Sequence, residues 1–169
     1  MRKILLTVFL IVLVIGGVLI FMQQKSNSCT PVFPLTQSKE MASLLDKQAT
    51  QFASTTVDIT DRSAEGGTQI TFAQNGIRKI VEQRFYGETG KSYMRFYYDG
   101  NKIFEIVKLN LMYAVPLSVN NSGTVKSSDE RNFYLDPRGW ICDAEVNGVS
   151  QLVGKDMQDM IQEYIAGII

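Results

Sequence analysis

The nearest approach to a catalytic motif lies at residues 87–92, where the sequence reads GETGKS. A nucleotide-binding P-loop needs G-x-x-x-x-G-K-[ST] between a strand and a helix, so that backbone N–H groups converge on the phosphates. Counting back from Gly90, the required first glycine falls on Phe85. The next residues, 93–98, are aromatic and strand-forming rather than helical. The segment therefore predicts a β-turn and no nucleotide site.

Other catalytic chemistry has few residues to rest on. Histidine is absent, which removes the commonest general base and metal ligand. No serine occupies a G-x-S-x-G elbow. Carboxylates such as Asp129, Glu130 and Asp143 are typical of solvated strand edges. We therefore expect no enzyme, cofactor or metal, and an enzyme with a carboxylate or Ser–Lys site is only a third possibility.

Aromatic residues are concentrated in the same part of the chain as the candidate strands. Adjacent rings such as Tyr97 and Tyr98 must point to opposite faces, so both faces of a sheet would carry rings. Two interpretations stay open. Both faces are partly covered and the rings stabilise the sheet, which we favour. Alternatively, one face is an interaction surface, for which the candidates are Tyr93, Arg95, Tyr97 and Trp140.

The amino-terminal region predicts a membrane anchor. Residues 4–22 carry no charge and would form a helix roughly 28 Å long, enough to span the hydrocarbon core of a bilayer. No small-x-small cleavage pattern follows, which favours an uncleaved anchor over a removed signal peptide. Arg2 and Lys3 predict a cytoplasmic N-terminus. The expected location is the plasma (inner) membrane, crossed once, with the rest of the chain extracytoplasmic.

These features divide the chain into four parts. Residues 1–3 form a cytoplasmic tip, residues 4–22 the transmembrane signal anchor, and residues 23–36 a polar stalk with Pro31 and Pro34. Residues 37–169 have the length of a single extracytoplasmic domain.

The charge balance argues against a nucleic-acid partner. The chain has 17 basic and 17 acidic residues, and setting aside Arg2 and Lys3 leaves 15 basic residues and a net charge of −2. A binder of polyanions would normally show a basic stripe. We therefore expect no nucleic acid and no nucleotide among the partners.

Cys29 has three possible fates. It follows the apolar run and could be lipidated, although the preceding residues 26–28 are polar, unlike a lipobox. It could pair with Cys142 in an oxidising compartment, closing a long loop worth about 4 kcal/mol of stability. Both thiols could also stay free, with Cys142 buried as a small hydrophobe.

Residue patterns predict an α+β fold. A helix is expected over residues 38–54, capped by Thr36 or Ser38, with an apolar face that includes Leu44. A short strand is expected at residues 56–59. Turn pairs then divide the chain into an antiparallel β-meander of about six strands. The expected strands are residues 68–74, 77–86, 92–98, 102–113, 131–135 and 140–146.

Three finer expectations follow from the same patterns. In the fourth of these strands, Ile103 and Val107 should share a face with Glu105. Residues 118–129 are polar and are expected to form a mobile loop. An amphipathic helix capped by Ser150 should close the core with a stripe that includes Leu152.

Short motifs carry a resemblance to one family. The phrases YGETGK at residues 86–91, YYDGNKIF at 97–104 and ERNFY at 130–134 occur in that order. Their order resembles uncharacterised bacterial envelope proteins, secreted or lipoprotein-like, over roughly residues 76–136. The resemblance implies an antiparallel sheet outside the cell and brings no activity or binding residues. The chain departs from that pattern in its long apolar anchor and weak lipobox.

The expected function is that of a membrane-anchored extracytoplasmic binding or interaction module. Its partner would be another envelope protein or a wall component, contacted through the exposed sheet face and the 118–129 segment. The alternative is a carrier of a small apolar or lipid-like ligand, held in a pocket between sheet and helices.

Overall fold

A computed structural model describes residues 29–59, 65–119 and 123–168. The proposed anchor and residues 23–28 of the stalk lie outside them. Within this part of the chain, two helices, Leu35–Gln48 (α1) and Lys155–Ala166 (α2), accompany eight strands, and a short 3-10 turn, Ala49–Gln51, follows α1. Neither helix is long and apolar enough to cross a membrane. The strands are Ala53–Asp58 (β1), Gly67–Gln74 (β2), Ile77–Gly87 (β3), Gly90–Asp99 (β4), Lys102–Tyr113 (β5), Val125–Leu135 (β6), Ile141–Val146 (β7) and Val149–Gln151 (β8).

The strands form one antiparallel sheet in the order of the sequence, from β1 to β8. This confirms the α+β class, with one helix before the meander and one after it. Two edge strands lie outside the six expected in the meander: β8 was not predicted, and β1 begins three residues before the short strand expected at 56–59. Asn75 and Gly76, and likewise Asn147 and Gly148, adopt positive φ angles between 50° and 79°. Such pairs are typical of two-residue hairpin turns.

The GETGKS segment is a turn, as predicted. Gly87 ends β3 and pairs with Gly90, which begins β4, so Glu88 and Thr89 form a two-residue connection. Lys91 then lies in β4, where its Nζ is 5.3 Å from the ring centre of Tyr93.

The sheet has two ends, which we name by their turns. The lower end carries the β2–β3, β4–β5 and β6–β7 turns, and the upper end carries the β3–β4 turn and the β5–β6 connection. α1 crosses the lower half of one face, from Glu145 of β7, which Lys39 contacts, to Arg95 of β4, which Asp46 contacts. We call this the α1 face.

Each helix covers part of one face of the sheet. This confirms the favoured interpretation of the aromatic residues, in which both faces are partly covered. α1 packs its Ala42 and Leu45 in one cluster with Tyr97 and Phe104. α2 packs on the opposite face, and its cluster of buried residues comprises Val81, Met94, Phe96, Tyr98, Ile106, Phe133, Leu135, Ile141, Ala144 and Ile161.

α1 differs from the helix expected over residues 38–54 at both ends and in its buried face. It ends at Gln48, and residues 53 and 54 belong to β1. It begins at Leu35, directly after Pro34, and no side chain caps it. Ser38 is buried inside the helix and its Oγ donates to the carbonyl of Phe33 at 3.4 Å. Leu44 is exposed, because the helix turns Ser38, Ala42 and Leu45 toward the sheet instead.

Residues 125–129 of the loop expected at 118–129 are strand. β6 begins at Val125, and Ser128 pairs with Leu111 of β5. The first four residues of β6 are exposed because this end of the sheet projects beyond both helices. Polar residues can therefore occupy both faces there, and no apolar alternation marks the strand.

The closing helix begins five residues after its expected cap, Ser150. Gly154 occupies the N-cap position, and Ser150 lies in β8. The turn at Asn147 and Gly148 sends the chain back along β7 for three residues before the helix starts. As a result, Leu152 lies outside the helix and is 96% exposed.

A bulge between β4 and β5 overturns the shared face expected for Ile103 and Val107. Tyr97 pairs with Glu105 but Tyr98 pairs with Ile103, so Phe104 is the extra residue. The bulge shifts the alternation by one position. Ile103 therefore packs against the α2 cluster, whereas Val107 packs against the α1 cluster.

Candidate functional site

The α1 face carries a groove where α1 stops covering the sheet. Along β4, Tyr97 lies beneath α1, Arg95 lies at the edge of the helix, and Tyr93 lies beyond it toward the upper end of the sheet. The groove opens over the upper two of these positions and has a volume of about 360 Å³. Its lining residues are Asp46, Glu82, Tyr93, Arg95, Tyr97, Val107, Leu109 and Glu130.

Arg95 holds the wall of the groove together. Its Nη1 donates to Asp46 Oδ1 of α1 at 2.7 Å, and its Nε donates to Glu82 of the neighbouring strand. Glu82 is buried and also accepts a hydrogen bond from Arg84 Nε at 2.5 Å. Burial disfavours the charge of Arg95, but its neighbours Glu82 and Asp46 outweigh this and raise its pKa. The guanidinium is therefore a fixed cation that links helix and sheet.

Tyr97 forms the base of that wall. Its hydroxyl donates to Asp46, with oxygen–oxygen distances of 3.0 and 3.1 Å, and the side chain is only 2% exposed. Burial, followed by the charge of Asp46, raises the pKa of the Tyr97 phenol well above its ordinary value. The hydroxyl therefore stays a neutral donor that fixes the end of α1 on the sheet.

The floor of the groove is apolar and its far side is acidic. Val107 and Leu109 of β5 face the groove, with Tyr93 beside Leu109 on β4 and Glu130 opposite Leu109 on β6. An apolar floor flanked by an aromatic ring, a fixed arginine and carboxylates suits an amphipathic ligand, whose polar groups would meet the rim.

The four candidate interaction residues divide into two places. Tyr93, Arg95 and Tyr97 alternate along β4 and line the groove together. Tyr97 is not the exposed contact that was expected, because α1 covers its ring and its hydroxyl donates to Asp46. Trp140 is 50% exposed and lies at the lower end, just before β7, so it is separate from the groove.

Two buried carboxyl groups lie beneath α1, and residue patterns did not indicate this. Glu145 accepts hydrogen bonds from Lys39 Nζ and, at 3.0 Å, from the Tyr134 hydroxyl. The bond from Lys39 is the largest cause of its lowered pKa. Glu105 is 3% exposed, and its Oε2 has no hydrogen-bond partner among the described residues. Burial raises the pKa of the Glu105 carboxyl to about 7, and the charge of Lys39 opposes this.

Other groove residues were missed because their positions depend on pairing between distant segments. Asp46 reads as an ordinary polar residue of a surface helix, and Glu82 interrupts a strand without any motif around it. Arg84 and Arg95 were the available signal, since two cations on adjacent strands call for a carboxylate between them.

Cys29 and Cys142 are joined by a disulfide bond, with their Cα atoms 5.2 Å apart. The bond attaches the segment before α1 to β7 at the lower end of the sheet. Over the described ranges, no group of three or more cysteine, aspartate or glutamate residues converges as a metal site would require.

Comparison of the chain with protein-family models, with curated proteins and with solved structures finds no significant match in any of the three. The fold and the groove therefore define the class, an antiparallel α+β protein whose sheet lies between two helices.

Proposed function

We propose that this protein is a membrane-anchored, extracytoplasmic binding module that engages its partner in the groove on the α1 face. The observation that carries the proposal is the open groove of about 360 Å³. Three residues that the sequence already singled out, Tyr93, Arg95 and Tyr97, lie along it. A concave, mostly apolar site with a few polar groups on its rim is the usual form of a binding site.

The proposed location draws on the sequence and on the disulfide. The uncharged residues 4–22 have the length of a membrane-spanning helix, and Arg2 and Lys3 favour a cytoplasmic N-terminus. The disulfide between Cys29 and Cys142 supports an oxidising, extracytoplasmic compartment, where such bonds persist.

The partner we propose is another envelope protein or a wall component. The groove opens toward the upper end of the sheet, where the β5–β6 connection also exposes Val115 and Val119. A partner seated in the groove would contact this connection as well. A closed pocket for an apolar ligand has less support, because Phe104 and Ile80 beneath α1 are completely buried and fill the space between helix and sheet.

A non-enzymatic role agrees with the placement of the buried carboxyl groups. Glu105 and Glu145 have pKa values shifted in opposite directions, which is a common property of acid–base pairs. Both lie beneath α1 rather than along the groove, so a substrate in the groove would not reach them. We assign them to the packing of α1.

Photo-crosslinking in intact cells tests the groove. A photoreactive phenylalanine analogue replaces Leu109, which lines the groove, or Asn110, the next residue in the same strand, which faces the opposite side. We expect an adduct of defined mass from position 109 and little from position 110. Adding Tyr93→Ala to the position-109 protein should reduce the adduct about tenfold, as loss of an aromatic anchor does at interfaces. Equal adducts from both positions, or no effect of Tyr93→Ala, would exclude the groove as the binding site.

A further inference from the structure

Two exposed apolar side chains lie at the lower corner of the β7–β8 edge. Trp140 directly precedes β7 and is 50% exposed, and Leu152 directly follows β8 and is 96% exposed. The last residue of β8, Gln151, pairs with Ala144 of β7, so the backbone of Leu152 lies beside residue 143. Trp140 and Leu152 therefore lie on either side of Cys142. We call this the Trp140–Leu152 corner.

Two cations near this corner form ion pairs within the chain. Arg138 is exposed, but its Nη2 lies 2.6 Å from Asp136 Oδ2. Lys155 forms an ion pair with Asp159 one turn along α2. These two cations are already partly neutralised, so Trp140 and Leu152, rather than Arg138 and Lys155, are the groups that the corner offers to a partner.

The disulfide holds this corner close to the proposed anchor. Seven chain steps separate residue 22 from Cys29, and an extended chain covers about 3.5 Å per step. Cys29 therefore lies within about 25 Å of the end of the apolar segment. The disulfide extends this distance limit to β7, because the Cα atoms of Cys142 and Cys29 are only 5.2 Å apart.

We propose that the Trp140–Leu152 corner rests in the interface of the bilayer that residues 4–22 span. The inference depends on the proposed anchor. Tryptophan prefers the headgroup region of a membrane, where its ring is buried and its N–H still finds polar partners. Leu152 adds an aliphatic side chain with almost no protein contact of its own. The contact would direct the upper end of the sheet, and with it the groove, away from the membrane.

The test uses Trp140 itself, because it is the only tryptophan in the chain. The full-length, oxidised protein is reconstituted into phosphatidylcholine vesicles, with or without lipids brominated near the headgroup. We expect the brominated lipids to lower Trp140 emission about twofold, as contact with the interface requires. Leu152→Asp should remove most of this quenching. Val149→Asp is the matched control, because Val149 is also exposed, at 62%, but lies at the far end of β8, and we expect it to change nothing.

The outcomes separate this inference from the proposed function. In one outcome the protein floats with the vesicles and resists carbonate extraction while the brominated lipids leave Trp140 emission unchanged. That result would overturn the proposed contact of the corner with lipid but not the proposed anchor. A protein that does not float overturns both. Equal effects of Leu152→Asp and Val149→Asp would also overturn the corner, since they would show that no particular end of β8 meets the lipid.

Discussion

Glu105 and Glu145 lie beneath the same helix, yet their carboxyl groups have pKa values shifted in opposite directions. Glu145 has two hydrogen-bond donors, Lys39 and the Tyr134 hydroxyl, and its pKa is lowered. Glu105 is surrounded by packed side chains, and burial raises its pKa to about 7. The charges near it are those of Lys39, Glu145, Asp46 and Glu130. Lys39 is thus the one cation near both carboxyl groups, and it forms its hydrogen bond with Glu145.

The first prediction concerns the pH dependence of stability. Because the pKa of Glu105 rises from 4.5 to about 7 on folding, the folded protein binds the extra proton. This stabilisation is full below about pH 4.5 and is lost as the pH rises through about 7. Glu105→Gln should therefore raise the free energy of unfolding at pH 8 by up to about 3 kcal/mol and change it little at pH 4.5.

Urea denaturation of both proteins between pH 4.5 and pH 8 measures the effect. Glu40→Gln, on the exposed side of α1, is the control and should follow the wild-type profile. If Glu105→Gln keeps the wild-type dependence on pH, Glu105 is not the group responsible.

The second prediction concerns the Tyr134 hydroxyl. Tyr134 is completely buried, and its hydroxyl is one of two donors to Glu145. Tyr134→Phe leaves the ring in place but removes the donor, so we expect a loss of about 1 to 3 kcal/mol in the free energy of unfolding. Tyr113→Phe, at a partly exposed position of β5, should cost less than about 0.5 kcal/mol. Denaturant unfolding at pH 7 distinguishes them, and equal losses would contradict a special role for the hydroxyl.

The third prediction concerns the close approach of β4 and β5 at Gly90. A Cβ on Gly90 would lie 2.3 Å from the carbonyl oxygen of Leu111, which is backbone and cannot rotate away. We expect Gly90→Ala to reduce the free energy of unfolding by roughly 2 to 4 kcal/mol. Gly154 is the control, since a Cβ there meets no atom within 4 Å. A loss for Gly90→Ala no larger than that for Gly154→Ala would refute the argument from space.

The fourth prediction concerns the disulfide. Its two cysteines are separated by 113 residues, and in the chain-entropy model closing so long a loop stabilises the folded state by roughly 4 kcal/mol. The double variant Cys29→Ser, Cys142→Ser should lose about that much, and a reducing agent should destabilise the wild type similarly. The variant is its own control, because a reducing agent should not affect it. A variant as stable as the oxidised wild type would show that the bond contributes nothing to stability.

Local turn chemistry explains why much of the sheet could be predicted from the sequence. Pairs such as Asn75 and Gly76 favour their turns by themselves, and the residues around them alternate in the usual way. The hairpins from β2 to β5 were therefore predicted to within two residues at either end. Tyr93, Arg95 and Tyr97 share a face for a related reason, since they alternate on one strand, but residue patterns did not indicate the groove that they line.

The remaining features depend on contacts between distant parts of the chain. Nothing near Tyr98 marks the bulge that places Ile103 and Val107 on opposite faces. The start of β6 has no apolar alternation because neither helix reaches it. The groove exists because α1 crosses only the lower half of its face, and only the packed structure shows which positions of the strands it leaves uncovered.

The order of the strands bears on how the chain reaches this structure. Each of the eight strands pairs only with the strand before or after it in the sequence. Most of the connections are short, so each new hairpin closes a small loop at little entropic cost. Topologies built from such local contacts fold faster than those that join distant strands. The sheet can therefore assemble one hairpin at a time, from the first strand onward, while the rest of the polypeptide is still emerging.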